Sequence, residues 1–257
     1  MKDFFHKIKR FFCNDPDPHE ADSVGMRYLL GEGLPKDYAK AFACFMYAAN
    51  EGIARAQCNL ALCYEKGYGT GQNAKAALAW YMQSANNGYA MAQYNIGYAY
   101  ENGEGIKTNK AEAFRWYLRA AEQGLLEAQL CVANAYDDGE GVEQDKAAAF
   151  RWFSKAAEQN NSAAQLRLGM MYEDGEGVAT DIGEAFNWYL KSAEQGIAIA
   201  QWKVGCMYES GEGTESNLFK ARRWYQEAID NGYSGASEKL VELKDKAIAF
   251  VRNSCQR

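Results

Sequence analysis

The chain has 257 residues, 48% hydrophobic and 24% charged, with a formal net charge of −6 from 34 acidic and 28 basic residues. That composition is ordinary for a soluble globular protein able to bury a core, and it argues against a largely disordered chain. The summed negative field opposes phosphate backbones, so nucleic acid is not an expected partner.

Residues 1–19 form the first segment. "MKDFFHKIKRFF" places Phe4, Phe5, Ile8, Phe11 and Phe12 along one helical face, with Lys2, Lys7, Lys9 and Arg10 elsewhere. Charge alternates with aromatics where a signal peptide needs an unbroken apolar run, and nothing approaches the roughly 18 apolar residues of a bilayer span. The expected compartment is the cytoplasm. Such a face suits an anionic membrane or a partner, but it is short for free-standing membrane binding. The repeats that follow need an apolar cover, so the segment reads as an N-terminal cap. "NDPDP" (14–18) marks the break after it.

From residue 20 the sequence becomes periodic. Paired glycines recur as Gly31/Gly33, Gly67/Gly69, Gly103/Gly105, Gly139/Gly141, Gly175/Gly177 and Gly211/Gly213, always 36 residues apart. Tyr28, Tyr64, Tyr100, Tyr136, Tyr172 and Tyr208 keep the same step, as do alanines from Ala41 to Ala221 and tryptophans from Trp80 to Trp224, Cys44 taking the first Trp place. A fixed period in this range means stacked repeats. Six copies result, at 20–55, 56–91, 92–127, 128–163, 164–199 and 200–235.

Each copy predicts two helices. In the third, Ala92, Ile96, Gly97 and Tyr100 recur at helical spacing, and Gly97 lets a neighbouring helix approach. Gly103 supplies the left-handed residue that ends this first helix. The second helix opens on Asp37, Asn73, Asn109, Asp145, Asp181 or Asn217, each able to cap an orphan amide. Ala113, Trp116, Tyr117 and Ala120/Ala121 continue as its buried face, and Gly124 with Leu125 behind it makes a Schellman-type stop. A helix pair this small cannot bury its aromatics alone and must stack on the next. The predicted fold is all-α: a right-handed α-solenoid of helix-turn-helix repeats with terminal capping helices. Residues 236–257 keep an apolar helical pattern without the glycine turn, as a C-terminal cap should.

These columns carry a family resemblance. "AQ" at 56, 92, 128, 164 and 200, "GEGV" at 139 and 175, and "AFRWYLRAAEQG" at 113 with its counterparts resemble the Sel-one-like repeat (SLR) family, a branch of the tetratricopeptide-type solenoids. The resemblance implies a non-catalytic scaffold, adaptor or regulator that holds a protein or peptide in a groove; many such proteins are bacterial. It also permits an inhibitory or immunity protein that neutralises a toxin or effector enzyme, a version that nothing in the residues selects. Departures fall at Cys44, at Tyr68 and Thr70 in the second glycine turn, and at Asn160, which replaces a terminating glycine.

Tetratricopeptide-type packing points two first-helix positions per repeat into the concave groove. They are Cys58 and Leu62, Tyr94 and Tyr98, Leu130 and Asn134, Leu166 and Met170, and Trp202 and Cys206. Glu65, Glu101, Asp137, Glu173 and Glu209 follow as an acidic rail. An apolar, partly aromatic stripe beside such a rail suits an amphipathic basic helix or an extended peptide with Lys and Arg along one edge.

Chemistry is harder to place. Acids repeated at every turn, "DDGEG" included, read as solvated loops or as ion pairs with Arg115, Arg151 and Arg223 rather than as a catalytic pair or a calcium cage. No Gly-Lys-Ser/Thr follows the glycine turns, so no phosphate loop is expected. The two histidines, His6 and His19, both precede the repeats. The rival reading, an enzyme working through the acidic loops or Cys58 and Cys63, lacks a convergent acid, base and nucleophile. No metal, cofactor or catalytic residue is expected. The seven cysteines, an odd number without pairing rhythm, read as mostly reduced thiols, with a Cys44 bridge to Cys58 or Cys63 left open.

Overall fold

A computed structural model describes residues 17–243 of the chain. The Phe-rich face of 1–16, with His6 and Cys13, and the end of the C-terminal segment, with Cys255, lie outside the described residues. The fold is an all-α solenoid of helix pairs, without a strand among the described residues.

Twelve helices among the described residues are each 13 residues long, and they come in pairs joined by the glycine turn. The pairs are α1 (Pro18–Leu30) with α2 (Tyr38–Asn50), α3 (Ala54–Lys66) with α4 (Ala74–Asn86), and α5 (Ala90–Asn102) with α6 (Lys110–Glu122). They continue as α7 (Leu126–Asp138) with α8 (Lys146–Glu158), α9 (Ser162–Asp174) with α10 (Ile182–Glu194), and α11 (Ala198–Ser210) with α12 (Leu218–Asp230). Residues 236–243 are helical again.

The chain divides into two compact units. One comprises Met1–Val132 and Glu140–Val142, the other Ala133–Gly139 and Glu143–Arg257. In the first unit, Phe45, Cys44 and Leu60 centre one core, and Ile96, Tyr81 and Ala61 a second. The second unit is built on Tyr189, Val204 and Tyr225.

Local chemistry explains the constant helix length. Asp37, Asn73, Asn109, Asp145, Asp181 and Asn217 each accept a hydrogen bond from the amide three residues on, at 2.8–3.1 Å. Each also donates its own backbone N–H to the carbonyl of the periodic tyrosine, Tyr28 to Tyr208 in turn, at 2.8–3.0 Å. The cap is therefore tied at both ends, which fixes the turn length. Tyr64, Tyr172 and Tyr208 further meet Phe42, Phe150 and Phe186 edge-on at 5.2–5.4 Å, so the tyrosine column also joins one pair to the next.

At the other end of the second helix, Gly124 stands at φ 90° while its N–H bonds to Ala121 and that of Leu125 to Ala120, the Schellman pattern. Asn160 fills the equivalent place at φ 63° with the same two bonds, so this departure leaves the turn intact. From Gly69 onward the second glycine of each turn has a separate role, because it lies against the backbone that starts the preceding second helix. A Cβ at Gly105 would sit 2.8 Å from the Ala74 carbonyl oxygen, and Gly177 crowds Lys146 still more closely.

The Gly97 column admits a ring rather than a helix backbone: Cβ atoms at Gly97 and Gly205 would come within 2.6 Å of Tyr117 and Tyr225. Tyr117 and its equivalents fill the core. The adjacent Trp116 is only half-buried, which corrects its expected place on the buried face. Neighbouring helical positions point about 100° apart, and here Tyr117 points into the core while Trp116 lies at its edge, packed partly against the Ile96 cluster. Arg119, Lys155 and Lys191 instead cover Trp116, Trp152 and Trp188, at 4.5, 3.8 and 3.8 Å from the ring centroids.

The "AQ" glutamines carry the main polar link. Gln57, Gln93, Gln129, Gln165 and Gln201 are buried, and each amide donates to a carbonyl eight residues back, near the end of the preceding second helix. Four of their carbonyl oxygens accept from a residue thirty positions on, Asn87, Gln123, Gln195 and Asn231, at 2.7–3.0 Å. Gln93→Leu strands the Ala85 carbonyl and the Gln123 amide, and urea unfolding should show a loss of about 1–3 kcal/mol with helix content retained.

Candidate functional site

In the first unit the predicted stripe lies on α3, α5 and the start of α7. Leu62, Tyr94 and Leu130 are half-buried, and Tyr98 is 44% exposed. Tyr94 leans on Tyr117 with ring centroids 5.4 Å apart. Cys58 does not join them. It is 5% exposed inside the core, where burial pushes its thiol up to about 12. Burial likewise raises Cys44 and Cys63 to about 12 and Cys131 to about 11, and the five described cysteines are free thiols. Thiols held protonated this way are poor nucleophiles.

The acids that end the first helices are fixed by an interaction that the sequence did not reveal. Tyr81 donates its hydroxyl to Glu65 at 2.8 Å, and Tyr117 donates to Glu101 at 2.7 Å. Burial, reinforced by these carboxylates, raises both phenols well above their ordinary value, so they act as fixed donors. Lys66 also reaches Glu65, at 2.6 Å, whereas Glu101 forms no ion pair among the described residues. A cavity of about 240 Å³ opens beside Glu65, lined by Tyr81, Tyr94, Asn95 and Tyr98.

The second unit treats the same positions differently. Leu166, Met170, Trp202 and Cys206 are half-buried and Asn134 is exposed. Trp202 rests on Tyr233 with centroids 5.4 Å apart. Tyr189 donates to Glu173, and Tyr225 donates to Glu209 at 2.8 Å. Lys203 then takes both Glu173 oxygens, at 2.9 and 2.7 Å. Asp137 departs furthest from the expected rail. It is only 6% exposed and is held by Lys146 at 2.7 Å and Arg167 at 2.5 Å, with Phe153 in the place of the donor tyrosine. The glutamates of the other repeats meet a tyrosine hydroxyl; with none at this place, the shorter acid takes two cations instead.

Arg115, Arg151 and Arg223 were expected partners of the loop acids, and the structure corrects this. Arg115 pairs with Glu112 and Arg223 with Glu227, both within their own helices, and exposed Arg151 makes no ion pair among the described residues. The loop acid Glu140 is met by Lys110 at 2.8 Å, and Glu176 by Lys146 and Arg167. The same register explains Tyr68, the odd residue of the second glycine turn. Tyr38 and Tyr68 occupy the positions of Lys110 and Glu140, and they stack at 4.5 Å where the later pair forms a salt bridge. Among the described residues no group of three or more His, Cys, Asp or Glu is placed to hold a metal ion, and no helix is long and apolar enough to cross a membrane.

Comparison with known proteins gives one consistent result. The family described as Sel1 repeat matches residues 23–53, 54–89, 90–125, 126–161, 162–197 and 198–233. The chain is similar over 89% of its length to the structure of a protective antigen from uropathogenic Escherichia coli displaying an SLR fold, with 34% identity and a TM-score of 0.84. It is similar over 89% of its length to a Sel1 repeat protein from Oxalobacter formigenes, with 30% identity and a TM-score of 0.74. The chain spans 49% of the first of these proteins and 66% of the second. A weaker likeness, with 20% identity and a TM-score of 0.48, covers 89% of the chain and 83% of an immunity protein from Pseudomonas aeruginosa. No curated protein sequence matches the chain.

The paired acids make a pH prediction. Burial raises Asp137, but hydrogen bonds from Lys146 and Arg167 outweigh it and leave the carboxyl below its ordinary 3.8. Glu173 likewise stays below 4.5, burial being outweighed by hydrogen bonds from Lys203 and Tyr189. A folded value below the unfolded one contributes stability above the ordinary value that is lost as pH falls through the lowered one. Asp137→Asn with Glu173→Gln should therefore be less stable than wild type at about pH 6, and the gap should close towards about pH 3 in urea titrations.

Proposed function

The chain belongs to the Sel1 repeat family, and on that premise we propose that it is a non-catalytic interaction module whose first unit captures a basic peptide or protein segment. Sel1 repeats generally mediate protein–protein interaction, and that sets the class of function. The observation that carries the finer reading is the α3–α5 face. It presents Tyr98, 44% exposed, beside half-buried Tyr94 and two carboxylates, Glu65 and Glu101, that buried tyrosines hold in place.

Each part of that face serves capture. Tyrosine offers a large contact area at little entropic cost and is enriched among residues that dominate binding energy. Fixed acids steer a basic partner and set its register more than they add raw affinity. In the first unit Glu65 holds its exposed neighbour Lys66, whereas in the second Asp137 holds Lys146 and Arg167 and Glu173 holds Lys203 of the next repeat. Leu166, Met170 and Trp202 there serve as apolar contacts, and Glu209 as a further acid. An inhibitory role, in which the captured partner is an enzyme that loses turnover on capture, would use the same face.

Tyr94→Ala with Tyr98→Ala should weaken capture of a partner from native lysate about tenfold or more, with circular dichroism unchanged. Equal capture by the folded variant would move the site off this face. Once a partner is in hand, Glu65→Gln with Glu101→Gln should slow association and flatten its dependence on salt between about 50 and 300 mM, read by stopped flow.

A further inference from the structure

The acid at the end of a first helix faces a residue thirty positions downstream, on the first helix of the next repeat. That residue is Asn95 for Glu65, Cys131 for Glu101, Arg167 for Asp137 and Lys203 for Glu173. The Lys203 case shows what the arrangement recognises. Its ammonium lies 2.9 and 2.7 Å from the two Glu173 oxygens, 5.7 Å from the Tyr189 ring and 5.8 Å from the Trp202 ring. A carboxylate and two aromatic rings thus surround one primary ammonium, which joins charge pairing to cation–π attraction.

Three repeats earlier the same positions hold Glu65, Tyr81, Tyr94 and Asn95. Glu65 is held by Tyr81 as Glu173 is by Tyr189. Asn95 is uncharged, and its amide is directed towards the Cys58 sulfur at 3.9 Å rather than towards the acid. The cavity of about 240 Å³ lies here, with Tyr98 on its rim.

We propose that this cavity is a receptor for one lysine side chain of a partner, which takes the position that Lys203 takes in the second unit. The proposal rests on the reading of this face as the capture surface and names what the surface recognises. The Tyr81 hydroxyl does not block the ammonium, because at Glu173 one oxygen accepts from both Tyr189 and Lys203. Lys66 also lines the cavity and pairs with Glu65 at 2.6 Å, but its side chain is 52% exposed, the kind of neighbour pair that yields readily to a competing cation.

The chain supplies its own test. Asn95→Lys plants an internal ammonium where Lys203 has one, filling the receptor from within, and Glu65→Gln removes the acid's charge with little change of shape. The probe is Nα-acetyl-lysine-methylamide, with the norleucine analogue as the uncharged control. Binding is followed by NMR on the Tyr94 and Tyr98 rings and on the backbone amides flanking positions 65 and 95, in wild type and in each variant. Wild type should give saturable shifts with the lysine probe only, and both variants, confirmed as folded, should bind it at least about tenfold more weakly. Equal shifts with the norleucine probe, no saturable shift in wild type, or an unchanged titration in the two variants would each overturn the proposal. Partner capture that survives Asn95→Lys but is lost in Tyr94→Ala/Tyr98→Ala would overturn the lysine receptor and leave the capture face standing. Capture indifferent to all of these substitutions would overturn the face itself, while the probe titration still decides the receptor.

Discussion

The buried glutamine is the interaction on which the stacking depends. Helix pairs of this size present apolar surface that many arrangements would bury, and apolar contact alone does not choose a register. A glutamine held at 2–7% exposure must place both ends of its amide, and it does so against the end of the preceding second helix and the cap residue of the next. Because an unpaired amide in that position is costly, only one offset between neighbouring helix pairs satisfies it. Ala92, Ile96 and Tyr117 then pack in the spacing already set.

Around this link the repeats divide their labour between constancy and variation. Caps, tyrosine carbonyls and left-handed glycines hold each pair at one geometry, which leaves other first-helix positions free to change. The acids show what that freedom allows. One position is a carboxylate steadied by a hydroxyl at Glu65 and Glu101, and it becomes an internal ion pair at Glu173 and a doubly paired, buried charge at Asp137. The architecture is common to both units, and what varies at this one position is the acid's partner: the neighbouring Lys66 for Glu65, Lys203 of the next repeat for Glu173, and two cations for Asp137.

Much of this was legible in the sequence, for a physical reason. Caps such as Asn109 and stops such as Gly124 act within one turn of their own helix, so their chemistry can be read from spacing alone. The periodicity and the family resemblance supplied the solenoid. What could not be read were contacts that cross a turn or pass between repeats. Glu101 and Tyr117 are sixteen residues apart, and no local rule joins them; Arg115 looked available to the loop acids until its own helix supplied Glu112. The Trp and Tyr columns were equally periodic, and only packing distinguishes Tyr117, which fills a space left by Gly97, from Trp116, which lies under Arg119. Cys58 was placed on the open face by analogy, but its neighbours enclose it.

The second glycine of each turn has a consequence for how such a chain changes length. Gly105 lies on the start of α4, Gly141 on the start of α6 and Gly177 on the start of α8, so these turns each seal a helix belonging to the repeat before. A single residue inserted or deleted between a helix start and the glycine that lies on it breaks that match, and one placed between a tyrosine and its cap takes that cap off its carbonyl. Adding or removing a full period keeps every seal matched to a helix start. A change of length by whole periods therefore leaves the scaffold intact and alters only how many first-helix positions it displays.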